Sequence, residues 1–221
     1  MRLRLLFAMA VLAVVVSGIA PLHRQDWLLE NLLVGVLLPL VAHDARRNRL
    51  SGVAYGLLFA MLLLHEVGAH YTYSLVPYDT WLRALGLPDT AELFGWQRNH
   101  YDRLVHAAFG LLLPLPLAER LGAALPGRIG LRCALALAVV LAASCAYEIL
   151  EWAAALVFGG ELGAAYVGMQ GDVWDAQKDM VLAAVGAIVA CSLIAVTRPA
   201  GLRQRQAGAR GRRHTASADG P

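Results

Sequence analysis

The sequence predicts an all-α, polytopic membrane protein with six transmembrane helices. Three observations predict it. Of the 221 residues, 58% are hydrophobic and the mean hydropathy is +0.55. Soluble domains are typically about 45–50% apolar. The apolar residues are gathered into long blocks, and the basic residues collect in alternate connections between those blocks, as membrane insertion favours.

The first block, Leu5 to Ala20, follows Arg2 and Arg4. It resembles a signal peptide, but Pro21 directly after the small residues disfavours cleavage, so an uncleaved first span is expected. The second block runs from Trp27 to about Ala42, with Glu30 and Asn31 in its first turns, near the interface. Arg46, Arg47 and Arg49 separate it from a third block, which begins near Leu50. A span needs roughly 20 residues, so this block is expected to continue through His65 and Glu66 towards His70.

A long polar connection, 71–103, comes next. Its segment 78–86 reads as a short amphipathic helix ended by Gly86, and Trp81 and Trp96 suit the headgroup level. The fourth block, about 104–121, carries Pro114 and Pro116 and should kink. The fifth, about 134–158, bears Glu148 and Glu151 near its end, and Gly159-Gly160 breaks it. The sixth runs from about Met180 to Val196. One transmembrane domain over 1–197 is therefore expected, followed by a disordered basic tail over 198–221. That tail suits anionic lipid, and no nucleic-acid partner is expected. Cys133, Cys145 and Cys191 stand alone in apolar blocks, which suggests neither a disulfide framework nor a zinc ribbon.

Arginines 2, 4, 46, 47, 49, 120, 128, 132 and six in the tail would share one side, 14 of the 19 basic residues. The positive-inside rule puts that side, with both termini, in the cytoplasm. The polar motifs then all fall at the periplasmic face.

Four clusters make up that face. His65-Glu66 and His70 resemble a zincin motif, but histidines five residues apart lie about 140° apart on a helix. Hydrogen-bonded histidines at a span end are the simpler reading. Arg98, His100, Asp102, Arg103 and His106 form the second cluster. Asp102 and His106 share a helix face, so Asp102 either orients the imidazole or caps the helix. In the third, Glu148 lies about a turn deeper than Glu151 and needs a partner or a proton; Arg98, Arg103 and Lys178 are its candidate partners. The fourth is Asp172, Asp175, Gln177, Lys178 and Asp179. Its three aspartates need a positive group between them, supplied by Lys178, by an arginine or by a divalent cation. His65, His70, His100, Asp172 and Asp179 are the candidate metal ligands. Glu148, Asp175 and His106 are the candidate catalytic groups. Glu66, Arg98, Asp102, Arg103, Glu151, Gln177 and Lys178 are the candidate binding groups.

His65-Glu with Ala-His-Tyr-Thr-Tyr73, Arg98 to His106, and Gly171 to Met180 resemble the YjdF-type family of predicted bacterial inner-membrane proteins, across about 28–196. The resemblance implies an inner-membrane location and a polytopic topology. A weaker likeness is to VanZ-like membrane proteins, through Asp102-Arg103 with His106, Glu148, and Asp175, Asp179 and Gly186. Arg103 stands there for a lysine and Asp179 for an asparagine. It implies an envelope lipid or glycan as partner. The functions expected are a structural network or a site for a cation or polar envelope lipid or glycan, with metal-assisted hydrolysis as the alternative.

Overall fold

A computed structural model of the chain describes residues 2–47, 50–158 and 170–197. Arg49, the Gly159-Gly160 break and the basic tail 198–221 lie outside the described residues. Every regular element among them is helical: α1 (Arg2–Ser17), α2 (Arg24–Ala45), α3 (Gly52–Tyr71), α4 (Tyr78–Ala84), α5 (Thr90–Phe94), α6 (Tyr101–Leu112), α7 (Pro114–Arg120), α8 (Ile129–Phe158) and α9 (Asp175–Thr197), with one 3-10 turn at Tyr73–Leu75. Among them α2, α3, α8 and α9 are long and apolar enough to cross a bilayer. α1 has 16 residues, fewer than the roughly 20 of a full span. The fourth block is two helices, α6 and α7, meeting at Pro114. Proline lacks the N–H that would continue the ladder, and its ring clashes with the preceding turn.

Local chemistry sets the ends. The Ser51 side chain accepts from Ala54 N–H (3.1 Å) and starts α3. Gly86 takes φ +72° just after α4, as the sequence predicts. Asp89 caps α5 by accepting from Glu92 N–H (2.9 Å).

α9 is the central element, packed most extensively on α6 and next on α8. Asp175, Asp179, Ala183, Gly186, Ala187, Ala190 and Ile194 form its buried face. Val181, Val185, Val189 and Val196 face outward and exposed. Both faces below Asp179 are apolar, so small residues, not polarity, mark the contact. α6 comes close enough that a Cβ on Gly110 would lie 2.0 Å from the Ala183 carbonyl oxygen, and one on Gly186 would lie 2.5 Å from that of Ala107. Ala183, Ala187 and Val140 of α8 are fully buried there, with Phe109, Leu113 and Leu137 packed around them. Above this dry seam the same faces turn polar.

Candidate functional site

The polar region has an upper and a lower layer. In the upper layer Arg98 clasps Asp175 with two parallel bonds, NH1 to Oδ1 (2.7 Å) and NH2 to Oδ2 (3.0 Å). Arg103, from the first turn of α6, donates from NH2 to Asp175 Oδ1 (2.8 Å) and to Asp172 Oδ2 (2.6 Å). Lys178 donates to the same Asp172 oxygen at 2.6 Å. A fork meeting a carboxylate in this way is strong and fixes orientation. Gln170 and Asn99 join the strands of chain carrying these groups. Asn99 N–H donates to Gln170 Oε1 (2.9 Å), and Gln170 Nε2 donates to the Asn99 carbonyl (2.9 Å). Asn99 Oδ1 also accepts from the Tyr101 N–H at the start of α6 (3.0 Å).

In the lower layer Asp102, Asp175 and Asp179 each offer an oxygen within 4.8 Å of the others. Asp102 is 9% exposed, Asp175 3% and Asp179 1%. His106, one turn below Asp102, places Nε2 3.6 Å from Asp102 Oδ1 and 3.3 Å from Glu148 Oε1. Its Nδ1 faces Ser144 Oγ at 3.5 Å. Asp179 Oδ1 and Glu148 Oε1 are buried without a hydrogen-bond partner among the described residues. Carboxylates outnumber fixed cations here, because Lys178 and both arginines are already engaged above. Lone buried charges in that position need a counter-charge or a proton.

Two further pockets adjoin this core. Tyr147 donates to Glu30, which is buried in α2, while the Tyr73 hydroxyl lies 2.6 Å from His65 Nδ1. Between α1, α2 and α3, Ser17 donates to Glu66 and accepts from Trp27 Nε1 (3.0 Å), and His70 Nδ1 meets the Ser17 carbonyl at 2.8 Å. Thr72 donates to Asp26 Oδ2 at 3.1 Å.

The structure thus gathers Arg98, Asp102, Arg103, His106, Glu148, Asp172, Asp175, Lys178 and Asp179 into one network. It holds His65, Glu66 and His70 elsewhere: His65 against Tyr73, and Glu66 and His70 both against Ser17. Residues four apart share a helix face, so Glu66 and His70 meet one neighbour, while His65, about 100° round the helix from Glu66, meets another. As candidate metal ligands, His65 and His70 are tied to Tyr73 and Ser17. His100 sits at the rim, its Nδ1 3.3 Å from Arg103 NH1. Burial first, then the Arg103 and Arg98 charges, hold the His100 imidazole below its usual pKa. Asp172 is taken by Arg103 and Lys178, and of the candidate ligands only Asp179 lies in the three-carboxylate group. Gln177 is exposed.

Two readings of single residues are corrected. Asp102 does not cap α6: the N-cap is His100, without a side-chain bond, and Asp102 lies buried within the first turn. Glu148 meets His106 rather than an arginine or Lys178. Glu151 is 6% exposed. Glu30, Asp26, Ser144, Tyr73 and Tyr147 belong to the polar interior and were not singled out by sequence. Glu30 carried a signal, as a carboxylate inside an apolar block, but nothing in its neighbours showed which way it faces.

Asp172 gives a pH prediction. Its side-chain bond from Lys178, and then the Trp174 N–H and Arg103, hold its carboxyl well below the usual carboxylate range. A folded-state value below the unfolded one stabilises above the unfolded value, about pH 4, and the gain fades as pH falls towards the folded value. Melting temperature in detergent should therefore drop below about pH 4, and Asp172→Asn should show a smaller drop. Equal acid profiles for the two proteins would remove Asp172 from the account.

A family profile described as "Predicted membrane protein (DUF2238)" matches residues 2–199. The chain is 35% identical over 186 residues to "Inner membrane protein YjdF" of Escherichia coli (strain K12), covering 83% of this chain and 84% of that one. No solved structure matches.

Proposed function

Because the chain belongs to the DUF2238 family of predicted membrane proteins and is an inner-membrane protein, we propose that it is a six-span protein whose buried carboxylates hold a cation near the periplasmic face. Four helices long enough to cross are supplemented in this reading by α1 and by the kinked α6–α7 pair, whose shortness local thinning of the bilayer accommodates. The arginine distribution then sets both termini in the cytoplasm, with the tail against anionic lipid.

One observation carries the cation reading. Asp102, Asp175 and Asp179 bring oxygens within 4.8 Å of one another in a buried place, and one Asp179 oxygen has no protein donor. Asp175 already spends its oxygens on Arg98 and Arg103, which leaves Asp102 and Asp179 as the principal ligands. An all-oxygen set suits a hard cation such as Mg²⁺, Ca²⁺ or Mn²⁺. The Arg98–Arg103–Asp172–Asp175 knot plays the structural part, tying the loop before α6 to the start of α9. Below, the tight Gly110–Ala183 contact leaves no room for a path between α6 and α9, which supports a site that binds from one face rather than a pore. His106 and Glu148 stand beside the carboxylates, which favours metal-assisted hydrolysis as the second reading: they are placed to take a proton from a water activated by such a cation.

The test is a melting series of the purified protein in detergent with MgCl₂, CaCl₂, MnCl₂, ZnCl₂ and NaCl. At least one salt should raise the melting temperature. Ligand at about a hundred times its Kd adds about 2.7 kcal/mol. The shift should vanish in Asp179→Asn. A protein that melts alike in all five salts would sink the cation reading.

A further inference from the structure

We propose that Ser144 is the nucleophile of an ester-cleaving site, with His106 as its base and with Glu148 and Asp102 as positioning residues. This inference shares Asp102 with the cation reading and needs no metal. A helical serine commonly returns its hydroxyl to the carbonyl one turn back. Ser192 does so with Ile188 (2.8 Å), and Thr197 does the same with Leu193 (2.7 Å). Ser144 instead turns across to α6, where its Oγ stands 3.5 Å from His106 Nδ1.

The other ring nitrogen explains why. His106 Nε2 has Glu148 Oε1 at 3.3 Å and Asp102 Oδ1 at 3.6 Å. Neither contact closes a hydrogen bond, and Glu148 Oε1 keeps none among the described residues; the negative charge of two carboxylates on that side favours the ring hydrogen on Nε2, with the Nδ1 lone pair towards the serine hydroxyl. Tyr147 packs edge-on against the ring at 6.1 Å between centroids. Nucleophile, base and an acid that orients the base thus stand in sequence, the arrangement nucleophilic catalysis requires. Their separations are long for hydrogen bonds, as such contacts often are before substrate tightens them.

The chemistry balances without a co-reactant other than water. The Ser144 Oγ–H attacks an ester carbonyl, forming an O–C bond while its proton passes to His106 Nδ1. Collapse breaks the ester C–O bond, and the departing alcohol takes that proton. Water then attacks the acyl-serine, yields its proton through His106, and releases the carboxylic acid and the free serine. The surrounding carboxylates repel a phosphodiester and tolerate a neutral carboxylic ester. Ser144 is 2% exposed, deep among the helices, while Cys145 and Ile149 beside it on α8 are exposed. A molecule carried in the bilayer, an acyl ester of a membrane lipid, is the class that would reach it when α8 parts from α6.

The purified full chain in detergent is treated with a fluorophosphonate probe and the labelled peptide is mapped. The expected result is a label on Ser144 that persists in EDTA, is absent in Ser144→Ala, and forms about a hundredfold more slowly in His106→Asn, as loss of a general base predicts. Ser144→Ala removes one oxygen and keeps the test decisive should His106→Asn fail to fold. A monodisperse wild-type protein that takes no label, a label on another residue, or a label lost in EDTA overturns the proposal. The first two outcomes leave the salt-dependent melting untouched, so this inference and the cation site fail separately.

Discussion

Replacing Arg103 with alanine should cost about 3–5 kcal/mol of stability, the loss typical when one partner of a buried ion pair is removed. Arg103 bridges Asp172 and Asp175 by short bonds, at 2.6 and 2.8 Å, whereas Arg98 reaches Asp172 only at 3.7 Å. Its loss leaves Asp175 with Arg98, and Asp172 with the half-exposed Lys178 and the more distant Arg98, while Asp102 and Asp179 lose one of the two guanidinium charges above them. Each remaining carboxylate then takes up a proton or opens the N-terminal end of α9 to water. The measurement is thermal unfolding in detergent, followed by a thiol-reactive dye on the buried cysteine Cys133. Arg103→Lys should fall between wild type and alanine, because it keeps the charge and loses the fork. The double variant Arg103→Ala/Asp175→Asn should be less damaged than the sum of its singles, because it removes the charge that Arg103 served. An Arg103→Ala protein that melts within about 0.5 kcal/mol of wild type, the usual range for a surface change, would mean that the network holds nothing together.

The second large effect is expected at Gly110. A methyl group there points at backbone, 2.0 Å from the Ala183 oxygen and 2.7 Å from its carbonyl carbon. Backbone cannot swing aside as a side chain can, so α6 and α9 must separate along their contact. Gly110→Ala should reach or pass the upper end of the roughly 1–3 kcal/mol that overpacking costs. The separation also draws Asp102 of α6 away from Asp179 of α9, so the salt-dependent melting shift should weaken in the same variant. Gly35 of α2 is the control. Nothing stands within 4 Å of its added Cβ, and alanine is the better helix former by about 1 kcal/mol. Gly35→Ala should therefore melt at or slightly above wild type. A Gly110→Ala protein as stable as the Gly35→Ala control would show that α6 and α9 do not meet backbone to backbone at Gly110.

Much of the fold could be read along the chain because hydrocarbon imposes a simple demand. A segment in lipid must satisfy its own backbone, so long apolar blocks become helices. Trp27 to Ala42 falls in α2 and 134–158 falls in α8. The kink at Pro114 follows from proline's missing N–H. The Asp175–Asp179 face was equally plain, since residues four apart stack on a helix and both stand where the last apolar block begins. The pairing of Asp102 with His106 followed from the same spacing.

What the chain order left open is the rotation of each helix about its own axis. An apolar block is apolar all round and carries little periodic sign of its inner face. Glu30 and Glu151 carried no sign of which way they face, and both are buried among the helices. His65, Glu66 and His70 looked like one motif because they are adjacent in sequence. Their azimuths send them to Tyr73, Ser17 and the Ser17 carbonyl instead. Ser144 is a small residue in a run of alanines, and only the approach of α6 gives its hydroxyl a histidine to face.

Sequence by itself determined the class of the protein, its helical blocks, and the five acidic residues, Glu148, Glu151, Asp172, Asp175 and Asp179, that demand partners around the start of α9 and in α8. The tertiary structure decided which partners they have. Helix positions are fixed by hydrophobicity, a property of each segment alone, but contacts between helices depend on steric fit. The absence of a Cβ at Gly110 and Gly186 lets α6 lie against α9. That approach sets Asp102 and His106 opposite Asp179, Glu148 and Ser144.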